Sequence, residues 1–345
     1  MNRSLLLWLG SLLLAVFAVQ TAATESRADQ IPTDWDLYMM RLVNRARTDP
    51  GGEDTRQGTN YNETAVAPLA YDVLVGEAAQ NHTQWMGANR NNPAIDDPSN
   101  PGPAPDSFTH YETFNAQSPP GGTPAIGTPG YTGATIGDRF THVGYSWSRA
   151  GENIFWRFDT PAIDTAVIDQ NHAGWWDSAG HRGNMMNGDY KVFGHHVMND
   201  DNNWATQNFG APLGQPANFI FGLLYADPDS SGDWTPRDAG DPLREGLGGI
   251  AFDVLPDAGG PAVASGATWD NGSYAAAVAD GTYDLLFTDP GLPGGSLQLD
   301  NLVVAGANVN AGDTLVPEPS TLVLAALALL GMALFFRRGR AAPLI

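Results

Sequence analysis

The 345-residue sequence contains no cysteine. That excludes disulfide staples, thiolate zinc sites and a cysteine nucleophile together. Positive charge is scarce, with 17 Lys and Arg against 38 Asp and Glu for a net charge of −21. This argues against nucleic acid and anionic lipid headgroups as partners, because both require a basic surface that displaces counterions. Familiar catalytic signatures are missing too: there is no His-Glu-x-x-His helix, no Gly-x-Ser-x-Gly elbow, no phosphate loop and no fixed-period repeat. What is present is Gly (40) and Pro (25), the composition of a loop-rich chain whose stability rests on core burial. For so acidic a chain a divalent cation is the natural ligand.

The two ends carry addresses. Residues 1–23, MNRSLLLWLGSLLLAVFAVQTAA, place Arg3 before an apolar run from Leu5 to Val19, followed by small residues where a signal peptidase cuts. The mature protein is expected to begin near Thr24 and to be exported. Toward the other end, Leu322 to Phe336 is uninterrupted apolar residues and Gly, followed by Arg337, Arg338 and Arg340. With Ser320 and Thr321 the run approaches the roughly 20 residues that a spanning helix needs. A transmembrane helix through the inner membrane is expected, its arginines cytoplasmic and all upstream residues outside. Pro317-Glu318-Pro319, an apolar span and an arginine cluster, over residues 316–340, resemble a PEP-CTERM sorting signal. The resemblance implies an exosortase-type sorting enzyme as a partner, which re-anchors the protein or releases it to the surface or matrix.

Between these ends, all seven histidines and most aromatics precede Gly210. Beyond it the chain is rich in Gly, Ala, Val, Asp and Leu, which sets a boundary near Pro212 to Asn218. In the first part Asp34 can cap a helix in which Trp35, Tyr38, Met39, Leu42, Val43 and Ala46 keep i, i+3/i+4 spacing. Asp72 can cap a second, where His82 shares an apolar stripe with Val75, Ala79 and Met86 and so reads as a core histidine. The Pro/Gly-dense residues 91–148 read as ordered loop over a cleft. Thr160-Pro161 is expected to open a third helix running to about Asp177. Val192 to Met198 and Trp204 to Phe209, joined by Asn199-Asp200-Asp201-Asn202, read as a β-hairpin. Helices interleaved with hairpin strands give an α+β, layered α-β-α fold.

Within HAGWWDSAGHRGNMMN, His172 and His181 stand nine residues apart, on opposite faces of any continuous helix. They cannot chelate one ion from it. His181 can act only beyond the helix end with partners from elsewhere, whereas His172, beside Trp175 and Trp176, reads as packing.

The segments PLAYDVLVGEAAQNHTQWM, FTH, AGENIFW, WWDSAGHRGNMMN, VFGHHV and WATQNFG, in that order over roughly Trp35 to Gly210, resemble the bacterial branch of the CAP (SCP-like) superfamily. The resemblance implies an α-β-α sandwich over 30–212 with a cleft in which two His and two Glu face each other, in some members around zinc. By motif, His110, Glu152 and His181 take three of those places. Asp177-Ser178 stands where the second glutamate would be, in a supporting role, so the tetrad is incomplete. Of His195 and His196 only one can face the cleft, because neighbouring strand residues point to opposite faces. Two imidazoles and a carboxylate are a suitable ligand set for Zn²⁺ with an open position for water. The resemblance equally implies secretion and binding of lipid, sterol or partner proteins with no settled enzymatic activity, and a surface protein that binds lipid, polysaccharide or matrix protein without catalysis is the preferred reading.

The remainder, 218–315, opens with a strand and runs into Asp227-x-Asp229-x-Ser231-Gly232-Asp233, with Asp238 at the position where a full EF-hand has its bidentate glutamate. Oxygens two residues apart around a Gly suit a Ca²⁺ shell. Strand-like runs follow at Ile250 to Leu255, Gly272 to Val278, Thr282 to Thr288 and Leu297 to Val304. With Glu245-Gly246-Leu247-Gly248-Gly249 they resemble a Cna-B or SdrD B-like Ig-type β-sandwich. Three functions are thus expected in order: a non-enzymatic surface-binding protein, a zinc-assisted hydrolase using His110, Glu152 and His181, and a calcium-stiffened structural component.

Overall fold

The computed structural model describes residues 32–95, 104–114, 122–158, 162–214, 218–238 and 240–316. The expected signal peptide, the Pro317-Glu318-Pro319 motif and the apolar run behind it lie outside the described residues. Among the described residues no helix is long and apolar enough to cross a membrane.

The first half contains helices α1 (Asp34–Thr48) and α2 (Pro50–Gln57), strand β1 (Ala70–Tyr71), α3 (Val73–Ala88), the small strands β2 (Thr113–Phe114) and β3 (Thr123–Pro124), α4 (Ile136–His142), the long strand β4 (Trp147–Phe158), α5 (Thr165–Asp177), α6 (Ala179–Met185), β5 (Val192–Asn199) and β6 (Asn202–Pro212). Strands β1, β5, β6 and β4 form one sheet in that order, with β1 parallel to β5 and the other pairs antiparallel. The expected hairpin is β5–β6, with Val192 opposite Gly210 and Asn199 opposite Asn203.

Alternation along β5 explains the layering. Phe193 and Val197 pack into the core that holds Leu37, Met40 and Val43 of α1 and Trp175 and Trp176 of α5. Val192 faces the other way, packing with Val75 and Ala78 of α3. At Gly194 a β-carbon would lie 2.2 Å from the Gly76 nitrogen and 2.5 Å from the Val75 oxygen, so α3 sits directly on the strand backbone there. Helices thus cover both faces of the sheet, the α-β-α arrangement that the sequence predicts.

Two helix starts differ from expectation. Thr33, not Asp34, caps α1, in a capping box in which Thr33 Oγ1 accepts from the Asp36 N–H while Asp36 accepts from Thr33. Asp34 is instead buried. Helix α5 begins at Thr165, four residues past Pro161, because the Asp164 carboxylate accepts from the Val167 N–H and supplies the cap. Asp72 caps α3 as predicted, through Leu74 and Val75.

The second half contains β7 (Asn218–Tyr225), β8 (Ala251–Pro256), β9 (Ala264–Ala267), β10 (Ser273–Val278), β11 (Gly281–Thr288), β12 (Ser296–Val304) and β13 (Val309–Leu315). They form a three-stranded sheet, β10-β7-β13, and a four-stranded sheet, β12-β11-β8-β9. Ile220 and Leu224 of β7 share a core with Phe252, Val254, Tyr274, Leu285 and Phe287, which packs the two sheets face to face. The alternate β7 residues Phe221, Leu223 and Tyr225 enter the core of α1. Strand β7 is therefore covered on both faces, which is why NFIFGLLY reads as a continuous apolar run. The two halves meet where α1 packs on β7, with polar pairs such as Arg41–Asp313 and Arg244–Asp34 beside the apolar contact.

Candidate functional site

The residues expected to line the cleft gather on the α3 side of the sheet, whereas a cavity of about 460 Å³ lies elsewhere, between α1 and β7. Glu152, on β4, is buried. Its Oε1 lies 3.0 Å from His110 Nδ1, and its Oε2 accepts from Arg139 Nη2 at 2.5 Å. In the amide orientation that satisfies both of its ends, Asn208 adds a third donor, 3.2 Å from Oε2. Burial pushes the Glu152 carboxyl up, but Arg139, His82 and His110 together outweigh it and hold it at about 2.

His110 belongs to the loop after α3. Its side chain is 43% exposed, and its carbonyl oxygen accepts weakly from Arg139 at 3.4 Å. His181 sits in the first turn of α6. That helix is zipped to β4: Asn184 Nδ2 donates to Glu152 O at 3.0 Å and Asn153 Oδ1 at 2.9 Å, and Asn153 Nδ2 donates to His181 O at 3.1 Å. The Gly-Glu-Asn and Gly-His-Arg-Gly-Asn segments are thereby locked to each other, which brings His181 to the cleft. Burial pushes the His181 imidazole down and nearby His110 adds to it, favouring a neutral ring.

Asp177 turns away from the cleft, accepting a short hydrogen bond from Tyr61 Oη. Ser178 precedes α6 without capping it through its side chain. Neither supports the carboxylate place that the sequence reading gave to the pair.

Three residues that sequence reasoning left out of the site lie behind Glu152. His82 is buried, with Nδ1 3.1 Å from Glu112 Oε1, Nε2 2.9 Å from Thr109 O, and Glu152 Oε1 at 3.7 Å. Glu112 is also buried, and its Oε2 accepts from the Thr132 and Gly133 N–H groups at 2.8 and 3.2 Å. Arg139 lies inside the segment read as loop. The signal for it was Thr135-Ile136-Gly137-Asp138, a capping box that starts α4 and aims Arg139 at Glu152. His82 is the core histidine that its apolar stripe predicted, yet it contacts the cleft carboxylate.

The remaining histidine pairs are structural. His172 Nε2 lies 3.0 Å from Glu53 Oε1, with both groups buried, and His195 Nδ1 lies 3.0 Å from Asp36 Oδ1 on α1, facing away from α3.

The cleft donor set does not fit a resident zinc ion as it is folded. Arg139 occupies one oxygen of Glu152, and the Nδ1 of His110 is turned to the other. Among the described residues the group of three or more His, Asp or Glu whose ligand atoms lie within 4.8 Å of one another is Asp227, Asp229 and Glu245, not His110, Glu152 and His181. In the acidic loop, Asp227 and Asp229 come together as read. Ser231 binds both through its N–H at 2.9 and 3.0 Å and spends its hydroxyl on Asp233 O at 2.7 Å. Asp238 is drawn off to accept from Trp35 Nε1 at 2.9 Å. The third carboxylate is Glu245, which the sequence reading placed only in a strand-leading motif.

A layered α-β-α domain with a polar cleft of His and Glu, joined to a β-sandwich, is the class that these observations define. Residues 40–209 match the family described as CAP, the cysteine-rich secretory protein family, and residues 315–340 match the PEP-CTERM protein-sorting motif. The chain thus carries a CAP domain and a sorting motif of the kind processed by an exosortase-type system, the marks of an exported, cell-surface protein. Among solved structures it is similar to an extracellular protein containing a SCP domain from Bacillus anthracis, at 22% identity and TM-score 0.31, covering 55% of this chain and 44% of that one. It is also similar to an outer surface protein from Borrelia burgdorferi, at 14% identity and TM-score 0.30, covering 51% and 90% respectively. A cysteine-rich secretory protein from Staphylococcus aureus matches at 12% identity and TM-score 0.28, covering 51% of this chain and 38% of that one. The chain spans less than half of the Bacillus and Staphylococcus proteins. No curated protein matches it.

Proposed function

We propose that this is a non-enzymatic binding protein of the cell surface or extracellular matrix, delivered by a cleaved signal peptide and sorted through its Pro317-Glu318-Pro319 motif and an inner-membrane anchor. The CAP cleft is its recognition site, for lipid, polysaccharide or matrix protein, and the second half is a Cna-B-like spacer. One observation carries the preference for binding over catalysis. Both oxygens of Glu152 are engaged, by Arg139 at 2.5 Å and His110 at 3.0 Å, and its carboxyl is held at about 2. A group so stabilised as a carboxylate is a poor general base near neutral pH. The competing reading is a zinc-assisted hydrolase using His110, Glu152 and His181. Elemental analysis of the purified chain, beside His110→Ala/His181→Ala, separates the two. The binding reading expects no stoichiometric zinc in either protein; one zinc per chain, lost in the double variant together with hydrolysis of ester or peptide substrates, would overturn it.

A second reading concerns the other half, where Asp227, Asp229 and Glu245 are proposed to hold a hard divalent cation of the calcium type. Glu245 favours it over a merely solvated acidic turn: it is 1% exposed, and its Oε1 has neither a hydrogen-bond donor nor solvent contact. Isothermal calorimetry with Ca²⁺ tests this reading, which predicts one site.

A further inference from the structure

The acidic loop between β7 and β8 holds two things at once. One oxygen from each of Asp227, Asp229 and Glu245 lies within 4.8 Å of the others. A cation with 2.3 to 2.6 Å bonds to oxygen accommodates ligand oxygens up to about that separation. Glu245 Oε2 accepts from the Thr235 N–H at 2.8 Å, whereas buried Oε1 has no donor at all. A buried carboxylate oxygen facing two further carboxylates, without a proton donor or water access, is left uncompensated by the protein alone.

The residues interleaved with these ligands grip the other half of the molecule. Arg237 pairs with Asp229 through its guanidinium, and its backbone N–H donates to Asp34 Oδ2 at 3.1 Å. Arg244, the neighbour of Glu245, donates through Nε and Nη2 to Asp34 Oδ1 at 2.8 and 2.6 Å. Asp238 accepts from Trp35 Nε1 at 2.9 Å. Asp34 and Trp35 form the first turn of α1, the helix whose apolar face closes the seam against β7. These contacts of Asp34 and Trp35 thus come from Arg237, Asp238 and Arg244, which stand between the ligands Asp229 and Glu245 in the chain.

We propose that a divalent cation held by Asp227, Asp229 and Glu245 acts as a clamp, fixing the 227–245 loop so that Arg237, Asp238 and Arg244 fasten helix α1 of the CAP domain to the β-sandwich. The clamp rests on the cation reading above. It makes the joint between the two halves responsive to the divalent cation outside the cell.

The test uses the full-length chain in detergent, with Ca²⁺ alone as the probe. Calorimetry reports binding, and amide hydrogen exchange reports the two ends of the clamp separately. The expectation is a single Ca²⁺ site, at least tenfold weaker in Glu245→Gln, and exchange slowed at least tenfold by Ca²⁺ both in 227–245 and at 34–38. In Asp34→Asn, Ca²⁺ still binds and still protects the loop, but the protection at 34–38 falls away. If Glu245→Gln does not fold, Asp229→Asn, on the exposed side of the loop, makes the same test. Ca²⁺ binding unchanged in both carboxylate variants, or no binding by the wild type, overturns site and clamp together. Normal site binding with loop protection but no change at 34–38 overturns the clamp and leaves the site.

Discussion

Acid should weaken the fold through Glu152, by an amount that its surroundings set. Its carboxyl is held at about 2 in the folded chain against an ordinary value of 4.5. A folded-state value below the unfolded one contributes stability that is fully present above about 4.5 and is lost as pH falls toward about 2. The difference of roughly 2.5 units corresponds to about 3 kcal/mol, of which about 2 kcal/mol is gone by pH 3. The measurement is urea unfolding of the wild type and of Glu152→Gln from pH 7 to pH 3. At pH 7 the variant is less stable, because Arg139 is left buried without its partner. As pH falls, the wild type loses the Glu152 contribution and the variant has none to lose, so the gap between them narrows by about 2 kcal/mol. The comparison is needed because Glu53 is also held well below its ordinary value and titrates in the same acid window in both proteins. Unfolding curves that stay parallel from pH 7 to pH 3 would refute the account of Glu152 as a carboxylate stabilised by Arg139, His82 and His110.

Three further outcomes follow from the packing. Gly194→Ala places a β-carbon against the α3 backbone and is expected to cost about 2 kcal/mol or more in denaturant unfolding; a loss under about 0.5 kcal/mol would mean that α3 can lift off the strand. His172→Ala, which empties a buried position and strips Glu53 of a partner, should cost about 3 kcal/mol, whereas His110→Ala, 43% exposed, should cost less than about 1 kcal/mol; equal losses would erase the distinction between core and cleft. Asp34→Ala leaves Arg244 facing the seam without its carboxylate, and a drop of about 3 kcal/mol is expected in thermal or urea unfolding; no change would show that the Asp34–Arg244 pair does not help to join the two halves.

The elements that announce themselves by local chemistry were legible in the sequence. Asp72 signalled α3, the Asn199–Asn202 turn signalled the β5–β6 hairpin, and the apolar runs of the second half marked β8, β10, β11 and β12. Misplaced boundaries came from competing caps: Thr33 and Asp34 are both capping residues, and only the side chain of Asp36 reaching back to Thr33 decides between them. Thr160-Pro161 was the stronger local signal for α5, yet Asp164 wins because its carboxylate reaches the Val167 N–H. In the cleft, the motif residues His110, Glu152 and His181 could be read, and Glu112 stands in the same FTHYETF segment as His110, whereas Arg139 could not be read. A charge that acts from behind, across 13 residues, leaves no spacing to detect. Glu245 escaped for the same reason, lying 16 residues beyond Asp229.

The density of histidine before Gly210 invites a metal reading, but most of its contacts answer a different need. A chain without cysteine must tie its layers by other means, and three buried histidines do so. His82 joins α3 to the loop bearing Glu112, His172 joins α5 to Glu53 on α2, and His195 joins β5 to Asp36 on α1. Each pair spans elements far apart in sequence, and each is shielded from solvent, where a charge-assisted hydrogen bond is strongest and its loss most costly. Of the two motif histidines His110 and His181, His110 is already bonded to Glu152. If the proposed recognition reading holds, the half-buried imidazole of His181, pushed toward its neutral form, is the motif group free of a carboxylate partner among the described residues. A neutral ring offers one donor and one acceptor, which suits hydroxyl-bearing or amide-bearing surfaces better than charged ones.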